Sequence, residues 1–236
     1  MLNVPTMTFA MVPDEPTTYK DIFSAGPIQE LLERPGELRY AGWDLNTQAK
    51  ARIIKGEYLE LTSGFRKLLR LYEDGTFIVK ISAGPDSLAW GQSDQDFETN
   101  PRLNPLALVE FTLNFTLLCS RLVHHLTRRH LSITFYLGLQ NAVRPSDTRL
   151  YLCSGKLDRF GFSSGVKRHA PENSFRLEFS ASTADIELRP AEVAYRLLAK
   201  IYNWFGHINE GIPYVSEAAN GARFVDELQI KAASGG

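Results

Sequence analysis

The stretch SGKLDRFGFSSGVKRH, Ser154 to His169, sets Lys156, Arg159, Lys167 and Arg168 among three glycines and the aromatics Phe160 and Phe162. Cations hold phosphates and aromatic rings stack on bases, so this is a composition suited to gripping a nucleic acid. The surrounding region, 141 to 170, carries six basic residues against two acidic ones. The plainer alternative is a solvated connection whose phenylalanines fold back onto a sheet. Further on the acidic side, SDQDFETN places Asp94, Asp96, Glu98 and Asn100 at alternate positions, as the start of a calcium loop does. Thr99 then stands where that loop needs a glycine and Pro105 where it needs a bidentate glutamate. The match fails, and no metal is expected there.

His124, His125 and His130 fall on different faces of one helical pattern and do not converge on a zinc ion by themselves. Cys153 and His169 have the residue types of a thiol nucleophile and its base. Both cysteines, Cys119 in an apolar helical pattern and Cys153 in an apolar strand pattern, read instead as small buried hydrophobes. No glycine-rich phosphate loop and no G-x-S-x-G elbow can be picked out. No catalytic residue, metal or cofactor is therefore assigned, and a non-catalytic role is expected ahead of an enzymatic one. The binding candidates are Lys156, Arg159, Phe160, Phe162, Lys167 and Arg168.

The elements that must position these residues follow from hydrophobic period. Residues 4 to 12 read as a strand ending at Pro13, and GPIQELLER as a short helix opened by Pro27 and stopped by Pro35-Gly36. In RIIKGEYLELT and KLLRLYEDGTFIVKI, the Lys55-Gly56 and Asp74-Gly75 turns divide β-rich runs, so 50 to 82 is an antiparallel meander. From Ala83 to Leu103 the period lapses into a long loop. Asn104-Pro105 then supplies an N-cap and a first helical residue, opening a helix over 105 to about 129. At 100° per residue, Glu110, Asn114, Arg121, His125 and Arg128 form one narrow polar stripe on it. On that reading Glu110 and Arg121 face solvent and are replaceable at little cost. The apolar remainder must be covered on several sides, which makes this the central helix.

LSITFYLGL, 131 to 139, alternates apolar and polar residues, and RLYLC and SFRLEFS repeat the pattern. A covering helix follows from Pro190 to 205, and the chain is read as irregular after Gly206. The sum is an α+β fold: an antiparallel sheet from the meander and the later strands, packed on a long central helix, with a second helix near the C-terminus. One domain over 1–230 is expected, divisible into a meander lobe 1–100 and a helix-sheet lobe 101–230, with 231–236 a flexible tail.

The chain has 236 residues, 44% hydrophobic and 22% charged, with 26 Lys and Arg against 27 Asp and Glu and two cysteines. These values exclude general disorder, a disulfide-dense secreted scaffold and a global field for polyanions. No leader pattern and no run of about eighteen uncharged apolar residues is present. A cytoplasmic protein without membrane attachment is expected.

The segments LLRLYEDGTFIVK, RLNPLALVEFTLNF, SITFYLGL and RPAEVAYRLLAKIYNWFG resemble the C-terminal region of bacterial AlbA-like, Schlafen-type DNA-binding (ATP-binding) proteins. They cover roughly half of the chain as scattered pieces, and the AlbA-like module itself has no counterpart here. The resemblance implies an accessory domain that senses or docks something. Two readings stay open: a non-catalytic interaction or sensory module working with a partner protein or fused effector, and a nucleic-acid-binding protein using the basic loop 154–169.

Overall fold

The computed structural model describes residues 4–233 apart from 21, 25, 40, 41, 65, 129, 145, 157–164 and 209. The alternating segments become strands β1 (Thr6–Pro13), β2 (Arg52–Ile54), β3 (Tyr58–Ser63), β4 (Lys67–Tyr72), β5 (Phe77–Ser82), β6 (Ser132–Gln140), β7 (Tyr151–Cys153), β8 (Lys167–His169), β9 (Phe175–Ser182), β10 (Val215–Glu217) and β11 (Arg223–Val225). The helices are α1 (Pro27–Glu33), α2 (Asp94–Thr99), α3 (Pro105–Val123), α4 (Thr183–Leu188), α5 (Pro190–Trp204) and α6 (Glu227–Ala232). Seven strands form one sheet in the order β2-β3-β4-β5-β1-β6-β9, antiparallel throughout, and β7-β8 and β10-β11 make two small ribbons. This is the α+β architecture expected from the sequence, with its meander, later strands, central helix and covering helix.

Strand period two sends one residue set to each face of the sheet. On one face Met7, Phe9, Met11, Leu69, Leu71, Phe77, Val79, Ile133, Phe135 and Leu139 are buried. α3 lies against them. Phe115 sits at the centre, its ring 5.4 Å from Phe9, 5.9 Å from Phe77 and 6.1 Å from Phe135. α4 and α5 pack on α3 in turn, and α5 also reaches β9. By length and composition α3 could cross a membrane, yet it is enclosed within the protein by these layers. Its start is fixed by Asn104, whose Oδ1 accepts from Leu106 N and Ala107 N at 3.0 and 3.1 Å while Nδ2 donates to Trp90 O at 3.0 Å.

Several expectations need correction. α3 ends at Val123 rather than near 129, because His125 N and Leu126 N turn to the closer carbonyls of Leu122 and Val123 and Thr127 N leaves to donate to Thr18 O. The 83–103 segment holds α2, capped by Ser93, whose Oγ accepts from Asp96 N at 3.1 Å. After Gly206 the chain forms β10, β11 and α6, with Asp226 Oδ1 accepting from Leu228 N at 2.9 Å and Gln229 N at 3.3 Å. Lys231 and Ala232, expected in the tail, belong to α6.

The largest correction concerns the polar stripe of α3. Glu110 and Asn114 are buried and Arg121 is half-buried, because Pro35, Arg39 and Trp43 lie over them. Arg121 Nη2 donates to Pro35 O, Asn114 Nδ2 donates to Trp43 O at 3.2 Å, and Arg39 Nε donates to Glu110 Oε2 at 2.8 Å. Asn114 and Arg121 meet backbone carbonyls here, and Glu110 a guanidinium, instead of water.

Candidate functional site

Among the described residues of the 154–169 loop, the structure separates Lys167 from Arg168. Lys167 and Arg168 are neighbours in β8, so strand alternation points them to opposite faces. Lys167 Nζ donates to Asn100 Oδ1 at 2.8 Å and stands 3.8 Å from the Tyr151 ring centroid. Arg168 Nη2 reaches Glu210 Oε1 at 2.8 Å, and Lys156 Nζ lies 5.6 Å from the Tyr214 ring. Elsewhere in the basic stretch, Arg144 is buried against Glu98, and Arg149 donates to Pro171 O at 2.9 Å. Arg159, Phe160 and Phe162 lie outside the described residues. The positive charge that the composition reveals is, where described, engaged by the protein's own acceptors and rings.

The other residues singled out by type are also dispersed. His124 Nδ1 is 3.4 Å from Glu187 Oε1, and Asp94, Asp96 and Glu98 sit on the short helix α2. Among the described residues no group of three or more His, Cys, Asp or Glu side chains could hold a metal ion. Both cysteines are free and buried, and burial pushes the Cys119 thiol well up. Across β7 and β8, Cys153 pairs with Lys167, while His169 pairs with Tyr151. Burial and the nearby Lys167 and Arg149 hold the His169 imidazole below its ordinary value.

A polar cleft of about 480 Å³ opens beside Trp43, Asp44, Lys67 and Asp86. Two ion pairs, Lys67 with Asp44 and Arg66 with Asp86, line it. Lys67 Nζ donates to Asp44 O at 3.0 Å and Asn46 O at 2.8 Å, and Arg66 Nε pairs with Asp86 Oδ2 at 2.7 Å. The cleft fastens the loop to the sheet end.

The second face of the seven-stranded sheet is different, because no helix is packed on it among the described residues. The strand registers set Lys80, Thr8, Gly138 and Arg176 side by side on β5, β1, β6 and β9. The next row is Arg70, Ile78, Ala10, Tyr136 and Glu178. Tyr58 and Tyr72 lie together near the β2 edge with ring centroids 4.9 Å apart. Arg70 covers the Tyr58 ring at 5.1 Å and Arg176 covers the Tyr136 ring at 5.0 Å.

Gly138 leaves a depression of about 460 Å³ bordered by Thr8, Lys80, Tyr136, Gln140 and Arg176. Packing does not demand glycine there. A Cβ on Gly138 would meet Phe175 O and Thr8 Cβ at 3.7 Å, ordinary contact distance. A glycine inside a strand costs roughly 0.5–1 kcal/mol relative to alanine, and its other use is to let a ligand approach the backbone. Lys80 has no ion-pair partner among the described residues, and Arg176 has only Glu178 at 3.9 Å. Strands are about 4.8 Å apart, so the two cations stand roughly 14 Å apart at the backbone with only a threonine and a glycine between them. Long cationic side chains can lean into that gap from both ends. The arrangement can hold an anion between Lys80 and Arg176 and a planar ring over Tyr136 and its guanidinium. Sequence reasoning missed this face because it is assembled from four strands that are distant in the chain.

No protein-family model, no curated protein and no solved structure matches the chain.

Proposed function

We propose that this chain is a non-catalytic interaction module that binds a single nucleic-acid strand across its open sheet face. The chemistry is supplied by a partner protein or a fused effector, in keeping with the accessory role that the sequence resemblance implies. The carrying observation is the row Lys80, Thr8, Gly138, Arg176 beside Tyr136, a bare depression with a cation at each end and an aromatic ring in its wall. Phosphates bind to Lys and Arg, and bases stack on tyrosine rings and guanidinium planes. The nucleic-acid reading thus has a better surface than the 154–169 loop, where Lys167 and Arg168 diverge.

Fluorescence anisotropy with labelled single-stranded oligonucleotides at a series of salt concentrations tests the reading. Affinity should fall with salt, and Lys80→Ala with Arg176→Ala should lower it at least about tenfold and flatten the salt slope by roughly 0.7 per cation removed. Gly138→Leu, which fills the depression, should also weaken binding. Lys167→Ala with Arg168→Ala should leave it unchanged. Absence of binding at low salt, or equal loss from both pairs of substitutions, overturns the assignment.

A further inference from the structure

The seven-stranded sheet has two free edges that differ in kind. β2 is three residues long and runs into the Lys55-Gly56 turn, where both residues have positive φ. A short edge of this sort offers little to pair with. β9 is eight residues long, contains no proline, and keeps an unbroken register with β6 from Ser132↔Ser182 to Leu139↔Phe175. It is a long, regular edge of the kind that recruits another strand unless something blocks it.

Which backbone groups face outward follows from one hydrogen bond. Thr183 N donates to Leu131 O at 2.9 Å, so in this antiparallel ladder the odd-numbered residues of β9 turn their N–H and C=O toward β6. Arg176, Glu178 and Ser180 turn theirs to the free edge, and none of these groups has a hydrogen-bond partner among the described residues. Their side chains lie on the open face, with Arg176 75% and Glu178 60% exposed.

We infer that β9 pairs antiparallel with β9 of a second copy of this chain about a two-fold axis at Leu177, continuing the sheet through the dimer. Charge selects this register. With Leu177 on the axis, Arg176 lies opposite Glu178 of the second copy and Glu178 opposite its Arg176, giving two opposite-charge pairs across the new ladder. Moving the axis by one residue either way places Arg176 opposite Arg176 or Glu178 opposite Glu178, and directly opposed like charges are destabilising. Within one chain the two side chains satisfy each other poorly, at 3.9 Å. On the helical side the same register sets Phe175 against Phe179 and Leu177 against Leu177. Leu177 and Phe179 are still half-buried rather than buried in the single chain. The contact is isologous and closes after two copies.

Light scattering over a wide concentration range tests this on the full chain. The wild type should run at twice the mass of one chain. Glu178→Arg, which opposes Arg with Arg, should run as a monomer with an unchanged circular dichroism spectrum. The exchange Arg176→Glu with Glu178→Arg restores opposite charges and should restore the dimer. As a second readout, Leu177→Cys should give a disulfide-linked dimer under mild oxidation, since facing residues of a non-hydrogen-bonded pair lie about 4.5 Å apart at Cα, within disulfide range. A wild type that stays monomeric throughout, a Glu178→Arg protein that stays dimeric, or a Leu177→Cys protein that does not cross-link would each overturn the pairing. Failure of the charge exchange to restore the dimer would overturn the register. Mass and cross-linking involve no nucleic acid, and Lys80 is not part of the pairing, so Lys80→Ala alone tests the oligonucleotide reading with the dimer contacts in place.

Discussion

Glu110 is a carboxylate with no exposed surface in the middle of an apolar helix. Its Oε2 accepts from Arg39 Nε at 2.8 Å and stands in ion-pair contact with Nη2 at the same distance, and that guanidinium also covers the Trp43 ring at 5.0 Å. The other oxygen, Oε1, has no hydrogen-bond partner among the described residues and lies against Gly42, where a Cβ would come within 2.1 Å of it. A side chain at 42 would have to displace the Glu110 carboxylate. Removing one member of a buried ion pair costs more than the pair contributes, because the remaining charge keeps its desolvation penalty. Glu110→Ala strips the carboxylate from Arg39, whose side chain is 13% exposed, and should lower unfolding free energy by about 3–5 kcal/mol in urea titration. A loss below about 1 kcal/mol, as for a surface residue, would contradict the geometry.

At the scale of elements, the start of α3 combines three side-chain bonds on Asn104 with the ring of Pro105 at the first helical position. Asn104→Ala removes the single acceptor of two cap hydrogen bonds and the donor to Trp90 O. A loss of about 2 kcal/mol is expected by chemical denaturation, while Asn104→Asp, which keeps the cap acceptor, should lose less. This helix start was legible, because Asn-Pro before an apolar run has one local meaning. So were β3, β4, β5 and β6, whose alternation and Asp74-Gly75 turn are likewise local. The fate of the Glu110, Asn114 and Arg121 stripe was not. Its partners include the carbonyls of Pro35 and Trp43, and every residue type carries a carbonyl, so no pattern in 35–48 announces the cover. The Ser93-x-x-Asp96 cap of α2 lies in the stretch whose alternating carboxylates resemble a calcium loop, and its helix is too short to show a hydrophobic period.

For the molecule as a whole, stability should depend on pH in two separate windows. His207 is buried, its Nε2 3.1 Å from Leu152 O, which can only accept, so Nε2 carries the proton of a neutral ring. Burial holds its imidazole below the ordinary value against the opposing effects of Leu152 O and Glu210, and the same direction applies to His169. The unfolded chain then binds more protons than the folded one below about pH 6.5, so stability falls as pH drops from there toward the folded value. Asp185, held low by the Ser182 hydroxyl and by Arg189, and Asp226, held low by Ser216 and Gln229, act in the second window. Their contribution is complete above about pH 4 and is lost as pH falls through their depressed values. Thermal melts from neutral to acid pH should show both declines, and His207→Gln should shrink the first while leaving the second. A first decline unchanged in His207→Gln would remove this explanation. The open face is a whole-molecule property in the same sense. Lys80, Thr8, Gly138 and Arg176 meet only because β1 separates β5 from β6, and local period cannot show the order of strands in a sheet.

That placement of β1 governs how the chain can be made. The strand emerges from a ribosome before either neighbour, ahead of β5 by the entire meander and ahead of β6 by α3 as well. The hairpins from β2 to β5 can close at once, since their loops are short and closure entropy is small. Met7, Phe9 and Met11 can pair with β5 once translation has passed Ser82, but their other neighbour, β6, is complete only after Gln140. An exposed nascent strand of this composition is a substrate for holding chaperones. Until β6 arrives, β1 stands as the uncovered edge of a five-stranded sheet, and the docking of β6 on that edge is the late step of vectorial folding.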